Sequence, residues 1–450
     1  MRDKMNKKVA LHNLGCKVNA YEIEAMQQLL EHAGYEIVPF APGADIYIIN
    51  TCTVTNIADR KSRQMLHKAK KMNPQAVVAA TGCYVQADKE RLETDEAIDL
   101  VIGNNQKQNI VELLQEYERT QQEISSVINI NTTKEYEPLH IEKTAEHARA
   151  YIKVQDGCNQ FCTYCIIPYA RGRVRSRKKE EVVREVERLA AAGYKEVVLT
   201  GIHLSSYGID FAGEEKETLL SLIESVHQVE GITRIRLGSL EPRIVTEEFA
   251  QGIASLQKVC PHFHLSLQSG CDTTLKRMNR RYDSQEYDEK CQLLRKVYEN
   301  PALTTDVIVG FPGETEEEFE QSYEFVKQID FYETHIFKYS MRKGTKAAAM
   351  DHQIPEQTKA VRSDKMLQLH EKQAQKFEEW FLGKQVEILL EEIVQENGKE
   401  YFIGHTREYI KGAVERKPGM KQNDVVVCRA EGFLKPHMLR CTELSAKVGL

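Results

Sequence analysis

The sequence predicts an α/β protein built from an N-terminal parallel-sheet α/β domain, a central incomplete (βα)6 barrel and a small C-terminal antiparallel β-barrel. Three observations carry this. Short apolar runs alternate with helix-period stretches over residues 1–116 and again over 150–354, the first and last series are separated by polar or charged stretches at 117–149 and 355–382, and from 383 to 450 the apolar period switches to two. A chain of 450 residues exceeds one ordinary core and fits about three domains.

In the first series, Lys8 to Leu14 reads as a strand, and Val18 to Ala33 has helical spacing at Ile23, Met26, Leu29 and Leu30. Ile46 to Ile49 and Val77 to Ala80 are short runs suited to buried parallel strands. Each of these three strands is followed at once by a cysteine, in Leu14-Gly15-Cys16, Asn50-Thr51-Cys52 and Thr81-Gly82-Cys83. Ligand sites in open parallel sheets lie outside the carboxyl ends of the strands, so Cys16, Cys52 and Cys83 are expected to converge as one three-thiolate metal site. Residues 117–149, containing QQEISS and INTTKEYEP, read as a linker or an edge strand with a crossover.

The second series has six strand candidates: Ala150 to Val154, Val197 to Thr200, Arg234 to Leu237, Phe263 to Leu267, Thr304 to Val309 and Thr334 to Tyr339. Helical stretches such as Lys179 to Ala192 and Glu316 to Ile329 lie between them, and in such a barrel the chemistry sits on the loops after the strands. The first of those loops carries Cys158, Cys162 and Cys165 in a C-x3-C-x2-C spacing. Paired zinc motifs bring four ligands and close the coordination sphere, whereas three thiolates without a fourth ligand can hold a cubane cluster with one iron open. Just past this loop Arg171, Arg173, Arg175 and Arg177 recur every second residue, suited to RNA phosphates or to a cofactor carboxylate, or else to a solvated basic face.

After a charged helical stretch, Val386 to Leu389, Tyr401 to Gly404, Val425 to Cys428 and Met438 to Cys441 read as strands of a small barrel of the oligonucleotide-binding kind. From Arg407 to Lys447 nine Lys or Arg stand against five Asp or Glu. Arg407, Lys411, Arg416 and Lys417, with Tyr409, Phe433 and His437 among them, are the candidate RNA contacts there.

Composition limits the partners. Sixty-one Lys and Arg against 67 Asp and Glu give a formal charge of -6, so any RNA site must be a local patch. His12 and Asn13 interrupt the apolar stretch near the start, and no run approaches membrane-spanning length; a cytoplasmic protein without a membrane partner is expected. Eleven cysteines, an odd number, fit metal ligation in a reducing compartment better than a disulfide framework. Cys260, Cys271, Cys291, Cys428 and Cys441 occur singly and read as packing residues.

The loop from Cys158 to Cys165, with Tyr164 directly before the third cysteine, resembles the cluster loop of the radical S-adenosylmethionine (radical SAM) superfamily. That resemblance implies cofactor contacts at Tyr164, Gly201, Glu241, Gln268 and Val309, all at or near strand ends of the barrel. With three strand-end cysteines before the barrel and a small β-barrel after it, the whole chain resembles the methylthiotransferases, whose last module is the TRAM domain. The phrases Leu14-Gly15-Cys16-Lys17-Val18-Asn19, Asn50 to Asn56 and Ala58 to Arg63 are similar to the branch acting on N6-threonylcarbamoyladenosine beside the tRNA anticodon.

The resemblance implies two [4Fe-4S] clusters, two molecules of S-adenosylmethionine per turnover, a tRNA substrate, and an electron donor such as a flavodoxin or ferredoxin. It implies no catalytic residue beyond the cluster ligands. The expected reaction replaces the C-H at carbon 2 of the adenine with C-S-CH3. The alternatives are the same reaction on isopentenyladenosine tRNA or on a ribosomal protein, or a non-catalytic iron-sulfur RNA-binding protein.

Overall fold

Ile46–Thr51, buried along its whole length, is a central strand of a six-stranded sheet that is parallel throughout. The computed structural model describes residues 7–142, 148–212 and 217–444. Residues 1–6 of the N-terminal stretch, and Lys447 of the C-terminal basic count, lie outside the described residues. The strand order is Glu36–Val38, Lys8–Asn13, Ile46–Thr51, Val77–Gly82, Leu100–Ile102, Ile124–Ser126. Lys8–Asn13 thus pairs with Glu36–Val38 on one side and Ile46–Thr51 on the other, which makes its carboxyl end the switch point of the sheet. Three-residue strands carry no readable period, so Glu36–Val38 and Leu100–Ile102 escape the sequence pattern. Ile124–Ser126 is the edge strand of the sheet and lies in 117–149, the segment read as a linker or an edge strand with a crossover. The rest of that segment is docked on the barrel: Tyr136 donates to the Lys153 carbonyl (2.7 Å), and the Ile141 amide donates to Glu185 (2.6 Å).

The barrel strands are Arg149–Asp156, Glu196–Gly201, Arg234–Leu237, His262–His264, Ala302–Val309 and Glu333–Lys338. The first three and the last three pair in parallel, and bridges Ile235 to Val259 and Leu240 to Leu265 join the two sets. No pairing joins the first to the sixth among the described residues, so the barrel stays open on one side. Its buried core runs from Ile152 and Leu199 to Phe263, Val307 and Phe319.

Glu356–Glu379, a 24-residue helix, leads to a closed five-stranded barrel: Gln385–Glu396, Lys399–His405, Lys411–Glu415, Met438–Glu443 and Val425–Lys435 in spatial order. All its pairs are antiparallel except Lys411–Glu415 with Met438–Glu443, which run parallel. No helix among the described residues is long and apolar enough to cross a membrane.

The C-terminal barrel closes the amino ends of the central strands. Arg234 donates to Glu387 (2.9 Å) and to the His405 carbonyl (2.9 Å), and Arg236 donates to the carbonyls of Thr406 (2.6 Å) and Arg407 (2.7 Å). Tyr409 stacks on His262 and His405, with the Arg149 and Arg236 guanidinium groups 4.9 and 4.8 Å from its ring centre. Arg407, half-exposed, donates through one guanidinium nitrogen to the carbonyls of Gln257 and Val259, so it and Tyr409 join the C-terminal barrel to the central one.

Candidate active site

The three N-terminal cysteines are brought to one place by the turns after their strands. Cys16 follows Gly15, whose φ of +113° and tight approach, a Cβ there lying 2.9 Å from Cys52 Cβ, require a glycine. Asn19, buried one turn into the first helix, donates to the carbonyls of Leu14 (2.8 Å) and Thr51 (3.0 Å) and so ties the Cys16 turn to the Cys52 strand. Cys83 opens the helix after Val77–Gly82. Burial pushes the Cys52 thiol up to about 12, reinforced by its neighbours Cys83 and Cys16.

Cys158, Cys162 and Cys165 lie on the loop after the first barrel strand. Gly157 precedes it at φ +72°, where a Cβ would strike the Arg173 carbonyl at 1.8 Å. The loop is pinned from the opposite side of the barrel: Thr163 donates through its amide to the Met278 carbonyl (3.0 Å) and through its hydroxyl to the Arg277 carbonyl (2.8 Å), and Asn279 donates to the Phe161 carbonyl (3.0 Å). Arg280 donates to Cys162 Sγ (3.3 Å) and to the Tyr282 hydroxyl (2.9 Å), a cation beside the thiols that no sequence signal marks. Burial raises Cys158 to about 11 and Cys165 to about 12.

Both triads suit a cluster rather than one ion. A single tetrahedral zinc holds sulfurs at about 2.3 Å, hence within about 4 Å of one another. Among the described residues, neither triad has all its sulfurs within 4.8 Å; the set gathered that closely is His264, Asp306 and His335. That set carries no signal in the sequence, and His264 pairs with Asp306 at 3.3 Å. Thiols held up by burial become thiolates when a metal centre binds them.

Beside the loop triad, where the N-terminal domain meets the barrel, lies a cleft of about 240 Å³. Val54 and Thr55, just past Cys52, form one wall; Tyr164, Cys165, Gln268, Asp306 and Lys338 are among the residues of the other. The N-terminal wall is fastened to the barrel by Arg342, which donates to Thr53 (2.6 Å) and Asn56 (2.7 Å) and pairs with Asp59 (2.7 Å), and by the Asn56 amide on Ser340 (3.1 Å).

The residues expected to touch S-adenosylmethionine are dispersed around this end of the barrel. Tyr164 and Gln268 line the cleft, Gln268 with φ +74°. Gly201 ends its strand against Gln155, and the Glu241 carboxyl is raised by burial against the opposing pull of Arg280. Val309 is buried, its carbonyl accepting from the Tyr339 amide (2.9 Å). His203 Nε2 and the Tyr339 hydroxyl are buried polar atoms without a protein partner, as a site that receives a polar cofactor requires.

The arginine run after the cluster loop divides. Arg171, Arg175 and Arg177 are buried, which corrects their reading as RNA contacts. Arg171 donates to Cys83 Sγ (3.0 Å), Asn19 (2.7 Å) and Glu22 (3.0 Å), linking the cluster loop's helix to the N-terminal triad. Arg177 pairs with Glu185, and Arg175 donates to the carbonyls of Arg171 and Arg173. Arg173 alone is exposed and lies over the Phe161 ring. Glu22, fully buried, pairs with Lys107 (3.0 Å), Lys153 (2.8 Å) and Arg171, which together hold its carboxyl well below the usual range. On the C-terminal barrel Arg416 pairs with Glu400 and Lys417 with Glu443, both at the surface, and Lys411 is exposed.

Residues 152–326 match the radical SAM superfamily, and residues 8–103 match the uncharacterized protein family UPF0004. The chain is 42% identical to the threonylcarbamoyladenosine tRNA methylthiotransferase MtaB of Bacillus subtilis over 90% of this chain and 89% of that one. It is 42% identical to the protein of the same name from Aquifex aeolicus, over 90% and 97%. A tRNA-2-methylthio-N(6)-dimethylallyladenosine synthase of Clostridium botulinum is 35% identical over 87% and 88%. Among solved structures, the radical S-adenosylmethionine methyltransferase TsrM from Kitasatospora setae shares the fold, with a TM-score of 0.56 at 16% identity over 76% of this chain and 77% of that one.

Proposed function

Because the chain belongs to the radical SAM methylthiotransferases, we propose that it methylthiolates carbon 2 of N6-threonylcarbamoyladenosine in tRNA. The observation that carries this reading is the cleft whose one wall, Val54 and Thr55, lies two and three residues past Cys52 and whose other wall includes Cys165. Similarity to MtaB at 42% identity over nine-tenths of the chain supports the substrate.

Cys158, Cys162 and Cys165 would hold the cluster that binds S-adenosylmethionine, and Cys16, Cys52 and Cys83 a second one. When bound, these groups supply the one-electron and sulfur chemistry that an unactivated C-H bond demands. The protein's own part is to bind, orient and exclude water. Arg280 offsets negative charge at Cys162, and Arg171 does so at Cys83. Arg342 fixes the distance between the two walls, so that a base held in the cleft would lie between Cys165 and the segment that follows Cys52. Lys338, which has no charge partner among the described residues, and Asp306 give a polar substituent on the base a cation and an anion to meet.

The test is direct. Reconstituted protein is given S-adenosylmethionine, a reductant and tRNA carrying either threonylcarbamoyladenosine or isopentenyladenosine, and the nucleosides are read by mass spectrometry. A methylthio product on the first tRNA and not the second is expected; equal yields would overturn the substrate assignment.

A further inference from the structure

The Asn56–Met72 helix begins at the wall of the cleft, its amino end capped by Thr55, which accepts from the Ala58 amide (3.1 Å). It carries Arg60, Lys61, Arg63, Lys68, Lys70 and Lys71 against a single acid, Asp59, in a chain whose overall charge is negative. Asp59 is already taken by Arg342, Lys70 by Asp99 (2.9 Å), and Arg63 donates to the Tyr84 hydroxyl (2.8 Å). Arg60, Lys61, Lys68 and Lys71 are exposed and have no charge partner among the described residues.

At about 100° per residue these four fall within a stripe about 100° wide, and from Arg60 to Lys71 the stripe is about 16 Å long. A groove of about 790 Å³ runs beside it, lined by Arg60, Gln64, His67 and Arg91 among others. Across the cleft, Lys338 and Lys343 are likewise exposed and unpaired among the described residues, on the segment that Arg342 and Ser340 bind to the start of the helix. A solvated helix face ordinarily mixes the two signs of charge. This one concentrates four unneutralised cations on a line leading to the cleft, whereas the exposed cations of the C-terminal barrel that have no charge partner among the described residues, Lys411, Lys421, Arg429 and Arg440, stand on the module that closes the amino ends, at the other end of the central strands from the cleft.

We infer that the Asn56–Met72 helix, with Lys343 opposite, is the principal docking surface for the phosphate backbone of the substrate RNA. This rests on the tRNA reading above and assigns the main contact to the N-terminal domain rather than to the C-terminal barrel. Phosphates of the stem next to the modified base run along the stripe, and the base itself turns into the cleft.

The test is tRNA binding by the full-length reconstituted protein across a salt titration. Replacing Arg60, Lys61, Lys68 and Lys71 together by Gln should lower the slope of log affinity against log salt by roughly one for each phosphate no longer neutralised, and weaken binding at about 0.1 M salt by roughly 100-fold. Lys411, Arg416 and Lys417 replaced together by Gln should lower the slope by about one at most. All these positions are exposed and Gln is a good helix former, so a melting curve separates misfolding from weakened docking; a single Lys71→Glu variant, expected to weaken binding and flatten the slope, serves if the quadruple variant melts early. An unchanged slope in the helix variants, or a larger loss of affinity in the C-terminal one, would overturn the inference. If the unsubstituted protein binds no tRNA, the tRNA reading itself falls.

Discussion

The two ends of the central strands put the same kinds of residue to opposite uses. At the carboxyl ends, Arg280 faces Cys162 and Tyr282 and has no carboxylate partner among the described residues. At the amino ends, Arg149, Arg234 and Arg236 surround the buried carboxylate of Glu196 and reach on into the C-terminal barrel. A guanidinium without a carboxylate beside it is available to a bound anionic group; those gathered round a buried carboxylate and donating across to the C-terminal barrel hold two domains together. This agrees with the general division of βα barrels, chemistry after the strands and stability before them. It also alters the reading of the C-terminal module, which the sequence presents as a separable RNA binder and the structure uses as the floor of the barrel.

The largest effect should come from the carboxyl end. Cys162→Ala removes a ligand of the loop cluster, so 5'-deoxyadenosine formation and methylthiolation should both fall to background, with the thermal transition of the metal-free protein nearly unmoved. If the transition shifts as far as it does for amino-end variants, the two ends are not functionally distinct.

Cys52→Ala divides the site further. It leaves the loop triad intact and removes a thiol of the N-terminal triad, so methylthio product should be lost while some reductive cleavage of S-adenosylmethionine persists. Side-by-side yields of deoxyadenosine and methylthio nucleoside, with iron content, decide it; full methylthiolation by Cys52→Ala would reduce the N-terminal triad to packing. Sites that share no partner act independently, but Arg171 touches both Cys83 and the helix after the loop cysteines, so partial loss of cleavage is also expected.

Arg236→Met should do the reverse. It deprives Glu196 of its 2.8 Å partner and two C-terminal carbonyls of their donor, and breaking a buried pair costs roughly 3–5 kcal/mol. The thermal transition should drop markedly, while the protein that stays folded should cleave S-adenosylmethionine at the ordinary rate. Loss of cleavage without loss of stability would contradict the division.

These outcomes bear on what the sequence could disclose. The loop triad is legible because its three ligands sit within eight residues on one turn, where spacing alone carries the chemistry. The N-terminal triad is legible only through topology, as a repeated position after three parallel strands. Long-range pairing is not legible at all. Nothing local to Arg171 or Arg407 reveals that one is buried against Glu22 and the other, half-exposed, donates to the Val259 carbonyl, and periodicity treats both as surface cations. The basic helix is visible in the sequence only as a family phrase, Ala58 to Arg63, because its stripe emerges once the helix is drawn and each nearby carboxylate is assigned its partner.

The smallest predicted effect uses pH to tell the two ends apart. At the amino end, burial works against ionisation of Glu196, but Arg236, Arg149 and Arg234 outweigh it and hold the carboxyl at about 2, below its ordinary value of 4.5. Above pH 4.5 the group is ionised whether the chain is folded or not, and its stabilisation is fully present. As pH falls from 4.5 towards 2 the unfolded chain takes up a proton that the folded chain refuses, so the contribution declines and is gone below 2; its full size is on the order of 3 kcal/mol. At the other end the thiols, with Cys158 at about 11 and Cys52 at about 12, do not titrate in this range. Acid unfolding of the metal-free protein should therefore be less steep between pH 4.5 and 2 in Glu196→Gln, which starts from a lower stability, and unaltered in slope in Cys162→Ala. Parallel acid limbs for the unsubstituted protein and Glu196→Gln would show that the amino-end carboxylate is not held by its arginines, and would remove the electrostatic basis for treating that end as the structural one.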